Sequence, residues 1–184
     1  MSRRIAALLG GAFDPVHGGH VALARRALKD LPVAAVFLIP NGAPPHRPAP
    51  QLPWARRVAM CAAALRGIPR ARTGLDEPPG APRRTADTLR RYRRRRWKVV
   101  LILGADAFAE LHRWHRWREI ARRANFAVAR RGARKFPPAA RRGLCAARRA
   151  REIAAGAGRV FWWNFRPPDI SATAIRRAQK RAGR

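Results

Sequence analysis

Short runs of apolar residues alternate along the chain with longer stretches whose apolar positions recur every three or four residues. The short runs do not alternate with polar residues, and a run of this kind is typical of a strand buried on both faces of a sheet. Five such runs predict strands, and a weaker one lies near residues 71–75. The five predicted strands are 5–9, 33–39, 99–103, 126–129 and 160–163.

The stretches between these runs have helical periodicity. The predicted helices are 19–31, 53–65, 85–96, 107–123, 139–155 and 171–181. Regular alternation of strands and helices predicts an α/β fold: a single Rossmann-like, doubly wound domain over residues 1–184, with a mainly parallel sheet of five to six strands and helices on both faces. In such a sheet, ligands bind at the carboxyl ends of the strands, near the point where the strand order reverses.

Charge is the most unusual feature of the composition. The chain has 41 Lys and Arg against 10 Asp and Glu, a net charge of +31, and all but four of the basic residues are arginines. A polyanion partner such as RNA would suit this charge. However, the arginines are spread along the chain beside abundant Ala, Pro and Gly, which is typical of biased amino-acid usage. We therefore predict no specific nucleic-acid partner and leave non-specific binding open.

The apolar start of the chain does not predict a membrane or secretory segment. Its apolar run is short and is followed by a glycine turn and Asp14 rather than a cleavage site. No stretch approaches the roughly 18 apolar residues of a membrane span. We predict a cytoplasmic protein with no membrane partner.

The first candidate site is the stretch "GGAFDPVHGGH", residues 10–20, directly after the first predicted strand. Gly10 and Gly11 allow a sharp turn and close approach of a ligand, and the helix that follows points free N–H groups at the same space. His17 and His20 fall on one face of that helix. They suit helix-cap or core histidines, or N–H donors to a phosphoryl oxygen. A metal site is disfavoured, because no Cys or His cluster supplies further ligands.

The second candidate site is "ISATAIRR", residues 170–177, near the other end of the chain. Ser171 or Thr173 can cap the predicted helix and offer a hydroxyl. Arg176 can meet phosphate oxygens through its planar fork, although it could also be one more surface arginine.

The two stretches resemble, respectively, the GG(T/S)FDPxHxGH signature and the ISSTxIR motif of the nicotinate-mononucleotide adenylyltransferases, in the HxGH nucleotidyltransferase superfamily. The resemblance implies that the phosphate of nicotinate mononucleotide attacks the α-phosphorus of ATP in line. The implied products are nicotinate adenine dinucleotide (deamido-NAD) and pyrophosphate, in NAD biosynthesis, with Mg²⁺ carried on the ATP phosphates. A homodimer is left open.

Four further stretches resemble family segments. "IPNGAPPHRP" is similar to IPxxxPPHK, "TADTL" to YTxDTL, and "LILGADAFAELHRWHRW" to IxGxDxxxxxxxWxxW, while "VARRG" resembles the shorter VxxRPG. The resemblance assigns the transition state to His17, His20 and Arg176. It assigns ATP and its phosphates to Gly10, Gly11, Ala12, Phe13, Arg47, Gly104, Asp106, Ile170, Ser171 and Thr173. It assigns the nicotinate nucleotide to Thr85, Trp114 and Arg130.

Alternatives remain for several of these residues. Asp106 could simply cap a helix, and Trp114 and Trp117, three residues apart, could both face the core. Ala12 stands where the family has Thr or Ser. The chain also ends eight residues after Arg176, where family members usually continue with a segment like LVPxxVxxYI.

Two other functions also remain open from the sequence. One is another HxGH-type adenylyltransferase, for example one acting on pantetheine phosphate. The other is a basic nucleic-acid-binding copy without catalysis.

Overall fold

The computed structural model describes residues 4–42, 49–80, 84–129, 144–168, 170 and 172–182. Its strands are β1 Ile5–Gly11, β2 Ala35–Pro40, β3 Ala71–Thr73, β4 Lys98–Gly104, β5 Ala124–Ala129, β6 Cys145–Ala147 and β7 Arg159–Trp163. Its α-helices are α1 Gly18–Asp30, α2 Trp54–Ala64, α3 Thr85–Arg94, α4 Ala105–Ala109, α5 Trp117–Arg123 and α6 Ala172–Ala182. Two 3₁₀ helices lie at Leu111–Arg113 and Ala150–Ala154.

The strands form one sheet in the order β3-β2-β1-β4-β5-β7-β6, and every neighbouring pair is parallel. The chain moves outward from β1 to β3 and then returns to the other side of β1 at β4, so the strand order reverses between β1 and β4. This confirms the predicted doubly wound α/β fold. The ligand crevice of such a sheet lies beyond Gly11 and Gly104, where these two strands end.

The sheet is covered on both faces because successive residues of a strand point to opposite sides. In β1, Ala7 and Leu9 belong to the core cluster that includes residues of α1 and α2, whereas Ala6 and Leu8 belong to the cluster with residues of α3, α4 and α5. The same division separates Val100 from its neighbours in β4. Two buried faces explain why the predicted strands are continuously apolar.

The predicted strand count was too low, and the helix predicted over 139–155 is wrong for the described residues 144–155. Cys145–Ala147 form β6, which pairs with β7 at the edge of the sheet, and Ala150–Ala154 form a 3₁₀ helix. Alanine-rich sequence favours a helix locally. Pairing with β7 is a contact between distant residues, and it overrides that local preference.

The helix predicted over 107–123 is divided into α4, a 3₁₀ helix and α5. The break occurs at Arg116, whose φ of 56° places it in the left-handed region and ends any helical run before α5. The apolar periodicity continues across the break because Leu111 and Ile120 both face the same core cluster. Within the part of the chain described here, no helix has the length and apolar character needed to cross a membrane.

Candidate active site

The two histidines of the first motif form a pair at the beginning of α1. His17 is the N-cap residue with an extended backbone, and its N–H donates to Nδ1 of His20 at 3.3 Å. Because Nδ1 accepts, the neutral His20 ring carries its proton on Nε2. The two imidazole rings stack with centroids 3.8 Å apart, and the ring of Phe13 meets His20 at 4.8 Å. Both rings are therefore held at the positive end of the helix dipole.

The turn that leads into this helix depends on small residues. Phe13 is buried and has a φ of 48°. A Cβ at Gly11 would lie 3.3 Å from the Phe13 ring, so a larger residue would push the ring away. A Cβ at Gly19 would lie 3.1 Å from the His17 ring and 3.3 Å from the carbonyl oxygen of Pro168. The glycines thus allow the turn and the C-terminal segment to pack closely against the histidine pair.

The two ends of the chain meet at this point. Nη1 of Arg176 donates to the backbone carbonyl of Asp14 and lies 3.6 Å from a carboxylate oxygen of the same residue. Nη2 of Arg176 donates to the Thr173 hydroxyl at 3.3 Å. Ile170 lies over Gly18, where a Cβ would be 3.5 Å from its side chain. The structure therefore brings Ile170 and Arg176 to the beginning of α1, and Thr173 contacts Arg176.

Asp14 connects this turn, through hydrogen bonds, to the segment that precedes α2. Its carboxylate is buried and accepts the backbone N–H groups of Gln51 at 2.8 Å and Leu52 at 3.1 Å. Together with the contact to Arg176, these bonds engage both carboxylate oxygens. Asp14 therefore stabilises the conformation of the turn that precedes the histidine pair.

Arg57 is a buried residue of the site that the sequence analysis missed. It is 1% exposed, and its guanidinium donates to the carbonyl oxygens of Ala12 at 2.5 Å, Asn41 at 2.9 Å and Leu52 at 3.1 Å. Burial lowers the pKa of Arg57, and the carboxylate of Asp14 partly opposes that shift. One signal was available: Arg57 precedes the buried Cys61 by one helical turn, a position where α2 is expected to be apolar.

A second buried group, Glu77, was also missed. It lies in the loop between β3 and α3 and connects that loop with α3 and with the end of β2. Its carboxylate accepts the Thr88 hydroxyl at 2.8 Å and the side-chain amide of Asn41. The backbone N–H of Asn41 donates to the carbonyl of Gly11 at 2.9 Å. Burial raises the pKa of Glu77, and the bonds from Thr88 and Asn41 oppose that shift. Thr88 belongs to the "TADTL" segment, so this network joins the glycine turn to the beginning of α3.

The glycines at the ends of β1 and β4 border open space. A Cβ at Gly10 or Gly104 would meet no heavy atom within 4 Å. Asp106 is exposed in the first turn of α4, but the N-cap residue of that helix is Gly104, so the interpretation of Asp106 as the cap is wrong. The carboxyl edge between these strands therefore offers room for a ligand beside an acidic side chain.

Of the three residues predicted to bind the nicotinate nucleotide, the structure describes Thr85 and Trp114. Thr85 is the first residue of α3 and is half-buried. Trp114 is half-buried and packs against the core cluster that faces α3 to α5, so its packing combines core contact with partial exposure. Arg47, Arg130 and Ser171 lie outside the described residues.

Comparisons with known proteins find a family match and named relatives for this chain. A model of the cytidylyltransferase-like family matches residues 8–178. A protein of Laribacter hongkongensis named "Probable nicotinate-nucleotide adenylyltransferase" is 41% identical over 96% of this chain and 84% of its own length. A Pseudomonas paraeruginosa protein of the same name is 36% identical over 96% of this chain and 86% of its own length.

Solved structures with the same fold include a Plasmodium falciparum nicotinic acid mononucleotide adenylyltransferase complexed with NaAD. It superposes with a TM-score of 0.73 at 14% identity, covering 95% of this chain and 83% of that one. The structure of that enzyme complexed with APC gives 0.70 at 13% identity, with the same coverage. At these identities the likeness concerns the fold alone.

Proposed function

The chain belongs to the cytidylyltransferase-like family and, within it, to the nicotinate-nucleotide adenylyltransferases, and we propose that it transfers the adenylyl group of ATP to nicotinate mononucleotide. The products are nicotinate adenine dinucleotide and pyrophosphate, a step of NAD biosynthesis. The observation that carries this proposal is the contact between Arg176 and Asp14, which joins the second motif to the histidine turn at the beginning of α1.

The reaction exchanges one phosphorus–oxygen bond for another. An oxygen of the mononucleotide phosphate forms a bond to the α-phosphorus of ATP, and the bond from that phosphorus to the bridging oxygen of the β-phosphate breaks. Pyrophosphate leaves with the bonding electron pair. Such a transfer needs positioned donors to stabilise charge on the phosphoryl oxygens and needs no covalent enzyme intermediate.

The beginning of α1 supplies such donors. In the tautomer that its Nδ1 bond selects, His20 carries an Nε2–H donor, and His17 stacks beside it at the positive end of the helix. The Arg176 guanidinium has five N–H donors, of which Asp14 and Thr173 engage only some. We assign these three residues to the oxygens of the α-phosphate and of the leaving pyrophosphate.

The remaining residues divide between the two substrates. Gly10, Gly11, Ala12 and Phe13 place backbone groups beside the phosphates, and Gly104 and Asp106 border the crevice on the adenylate side. The ATP set also includes Arg47, Ile170, Ser171 and Thr173. Thr85, Trp114 and Arg130 are assigned to nicotinate mononucleotide. Residues 1–184 act in this proposal as one catalytic domain.

Mg²⁺ enters the site as part of the substrate MgATP. Among the described residues, no three or more His, Cys, Asp or Glu side chains are grouped closely enough to hold a metal ion. A Mg²⁺ ion usually keeps several waters and binds through substrate phosphates. The donor set at α1, which is cationic and N–H-rich, suits an anionic nucleotide that brings its own metal.

The experiment that tests this proposal supplies purified protein with ATP and Mg²⁺ and one acceptor at a time. The acceptors are nicotinate mononucleotide, nicotinamide mononucleotide and pantetheine phosphate, and both pyrophosphate and the adenylylated product are measured. We expect the highest kcat/KM with nicotinate mononucleotide. A higher kcat/KM with pantetheine phosphate, or no pyrophosphate release with any acceptor, would overturn the proposal.

A further inference from the structure

A shallow surface groove between α3 and α5 is lined by Arg90, Arg93, Arg94 and Arg123 and has a volume of about 370 Å³. This arginine groove has two acidic partners, Glu119 and Asp87, and Nη1 of Arg90 lies 3.4 Å from the Asp87 carboxylate. Arg90 holds the Glu119 carboxylate through two hydrogen bonds of 2.9 Å, and Nε of Arg123 lies 3.3 Å from it. Four guanidinium groups and two carboxylates leave the groove with a surplus of two positive charges.

Two of the four arginines have no ionic partner in the described part of the chain. The side chains of Arg93 and Arg94 are exposed and take part in none of its ion pairs or side-chain hydrogen bonds. The groove lies at the C-terminal ends of both helices, where the helix dipole favours cations. The dipole explains why arginines are tolerated there, but it does not neutralise them. Guanidinium groups that share a groove repel one another, and an entering anion relieves that repulsion.

The arginine groove is remote from the candidate active site. Arg123 directly precedes the first residue of β5, and α3 ends just before β4 begins at Lys98. The site, in contrast, lies where β1 and β4 end, at Gly11 and Gly104. Because β4 has seven residues, the amino and carboxyl ends of this strand are separated by roughly 20 Å at 3.3 Å per residue.

The basic surface continues beyond the arginine groove. Arg95 and Arg96 are exposed at the end of α3, and the exposed Lys98 begins β4. The guanidinium of Arg4 lies 4.8 Å above the ring of Trp97 on the same edge of the sheet. A row of cations of this kind suits an extended chain of phosphates better than a single ion.

We propose that the arginine groove binds the backbone phosphates of single-stranded RNA without recognising the bases. Guanidinium forks match phosphate oxygens, and contacts to phosphates give binding that does not depend on sequence. The groove is open and shallow, so a strand can pass along it. This interaction is separate from adenylyl transfer.

The test compares two variants of the full chain that each lose three positive charges. The groove variant is R93Q/R94Q/R123Q. The control is R25Q/R66Q/R151Q, which removes three exposed arginines that have no side-chain partner in the described part and lie outside the groove. Binding of a fluorescent oligouridylate is followed by anisotropy over a series of salt concentrations.

We expect the groove variant to bind RNA at least about tenfold more weakly, with a salt slope smaller by about 2, since each lost phosphate contact removes roughly 0.7 from that slope. The control should stay within about threefold of the natural chain, since general charge acts weakly at a distance in salt. Adenylyl transfer should be unchanged in both variants. Equal losses in the two variants, or no loss in the groove variant, would overturn the proposal. In a competition experiment, tripolyphosphate that binds more tightly per phosphate group than the oligouridylate would overturn the RNA proposal and indicate a site for small polyphosphates.

Discussion

The histidine side of the candidate site and its Glu77 side are built in different ways. The histidine pair depends on residues three positions apart at the beginning of one helix, half-buried and bordering the crevice. The Glu77 network joins Asn41 and Thr88, which lie 36 and 11 residues away along the chain, and it is buried. Arg57 belongs to the same buried type, since it ties together carbonyls from three separate segments.

Because of this difference, we expect replacements on the histidine side to lower the catalytic rate and replacements on the Glu77 side to lower the stability. A half-buried donor aimed at a ligand contributes mainly to the reaction, because water can replace it in the free protein. A buried polar group that satisfies several others contributes mainly to stability, because its loss leaves those partners unpaired. Kinetics and unfolding measured on the same variants can therefore separate the two sides.

The largest expected effect is on the histidine side. His20→Ala should lower kcat by about 10²- to 10³-fold, the usual cost of removing one donor to transition-state charge. The free energy of unfolding should fall by only about 1–2 kcal/mol, because His20 is half-buried and the losses include the bond to the N-cap backbone and the ring contacts with His17 and Phe13. Pyrophosphate release at saturating substrates and urea denaturation measure the two quantities.

A matched control for this variant is His112→Ala. His112 is exposed, and its Nδ1 lies 2.9 Å from the carbonyl oxygen of Ala109, so its replacement should leave kcat unchanged. A kcat of the His20 variant close to that of the natural chain would remove His20 from the mechanism. It would also break the distinction between the two sides.

The next largest effect is on the buried side. Arg57→Ala should lower the free energy of unfolding by about 3 kcal/mol, because three carbonyl oxygens lose a buried charged donor. Its neighbour Arg56 is exposed, and Arg56→Ala should change stability by less than about 0.5 kcal/mol. Urea denaturation of the two variants gives the comparison. Similar stabilities for both would show that Arg57 is not a structural support of the turn.

Much of the fold could be predicted from the sequence because local pattern and tertiary packing agree there. Strands such as β4 are buried on both faces and therefore continuously apolar, and the glycine turn with its histidines is a local motif. The prediction failed where a distant partner decides the structure. Cys145–Ala147 become a strand only because β7 is beside them, and nothing in three small residues signals that pairing.

The candidate site divides in the same way. His17, His20 and Arg176 could be found because their motifs are short and specific. Arg57 was hidden among 41 basic residues, and Glu77 lies in a loop rich in Pro and Gly whose burial depends on α3. Acidic residues are scarce in this chain, and Asp14, Asp76 and Glu77 are all buried. An acid just beyond a strand end therefore marks a buried support after β1 and after β3, whereas Asp106, just beyond β4, is exposed.

The smallest expected effect concerns the charge of Glu77. Burial raises the pKa of Glu77 above its ordinary value near 4.5, so the folded chain holds this proton more tightly than the unfolded chain. Between the ordinary and the raised pKa, unfolding therefore releases a proton, and rising pH favours unfolding. The stabilisation from neutral Glu77 is complete below the ordinary pKa and is lost as pH rises through the raised one.

Glu77→Gln removes this proton and hence this pH dependence. The unfolding free energy of the natural chain, relative to that of the Gln variant, should decline with rising pH by at most about 1.4 kcal/mol per pH unit within that window. Urea denaturation at pH steps from about 4 to 8 measures the difference, and Glu110→Gln, at an exposed acid, should show no such trend relative to the natural chain. A difference that grows with pH would mean that Asn41 and Thr88 stabilise the carboxylate by more than burial destabilises it. The hydrogen bonds to the Glu77 carboxylate would then outweigh the cost of its burial. The contribution of Glu77 to the free energy of unfolding would be kept at high pH and lost at low pH.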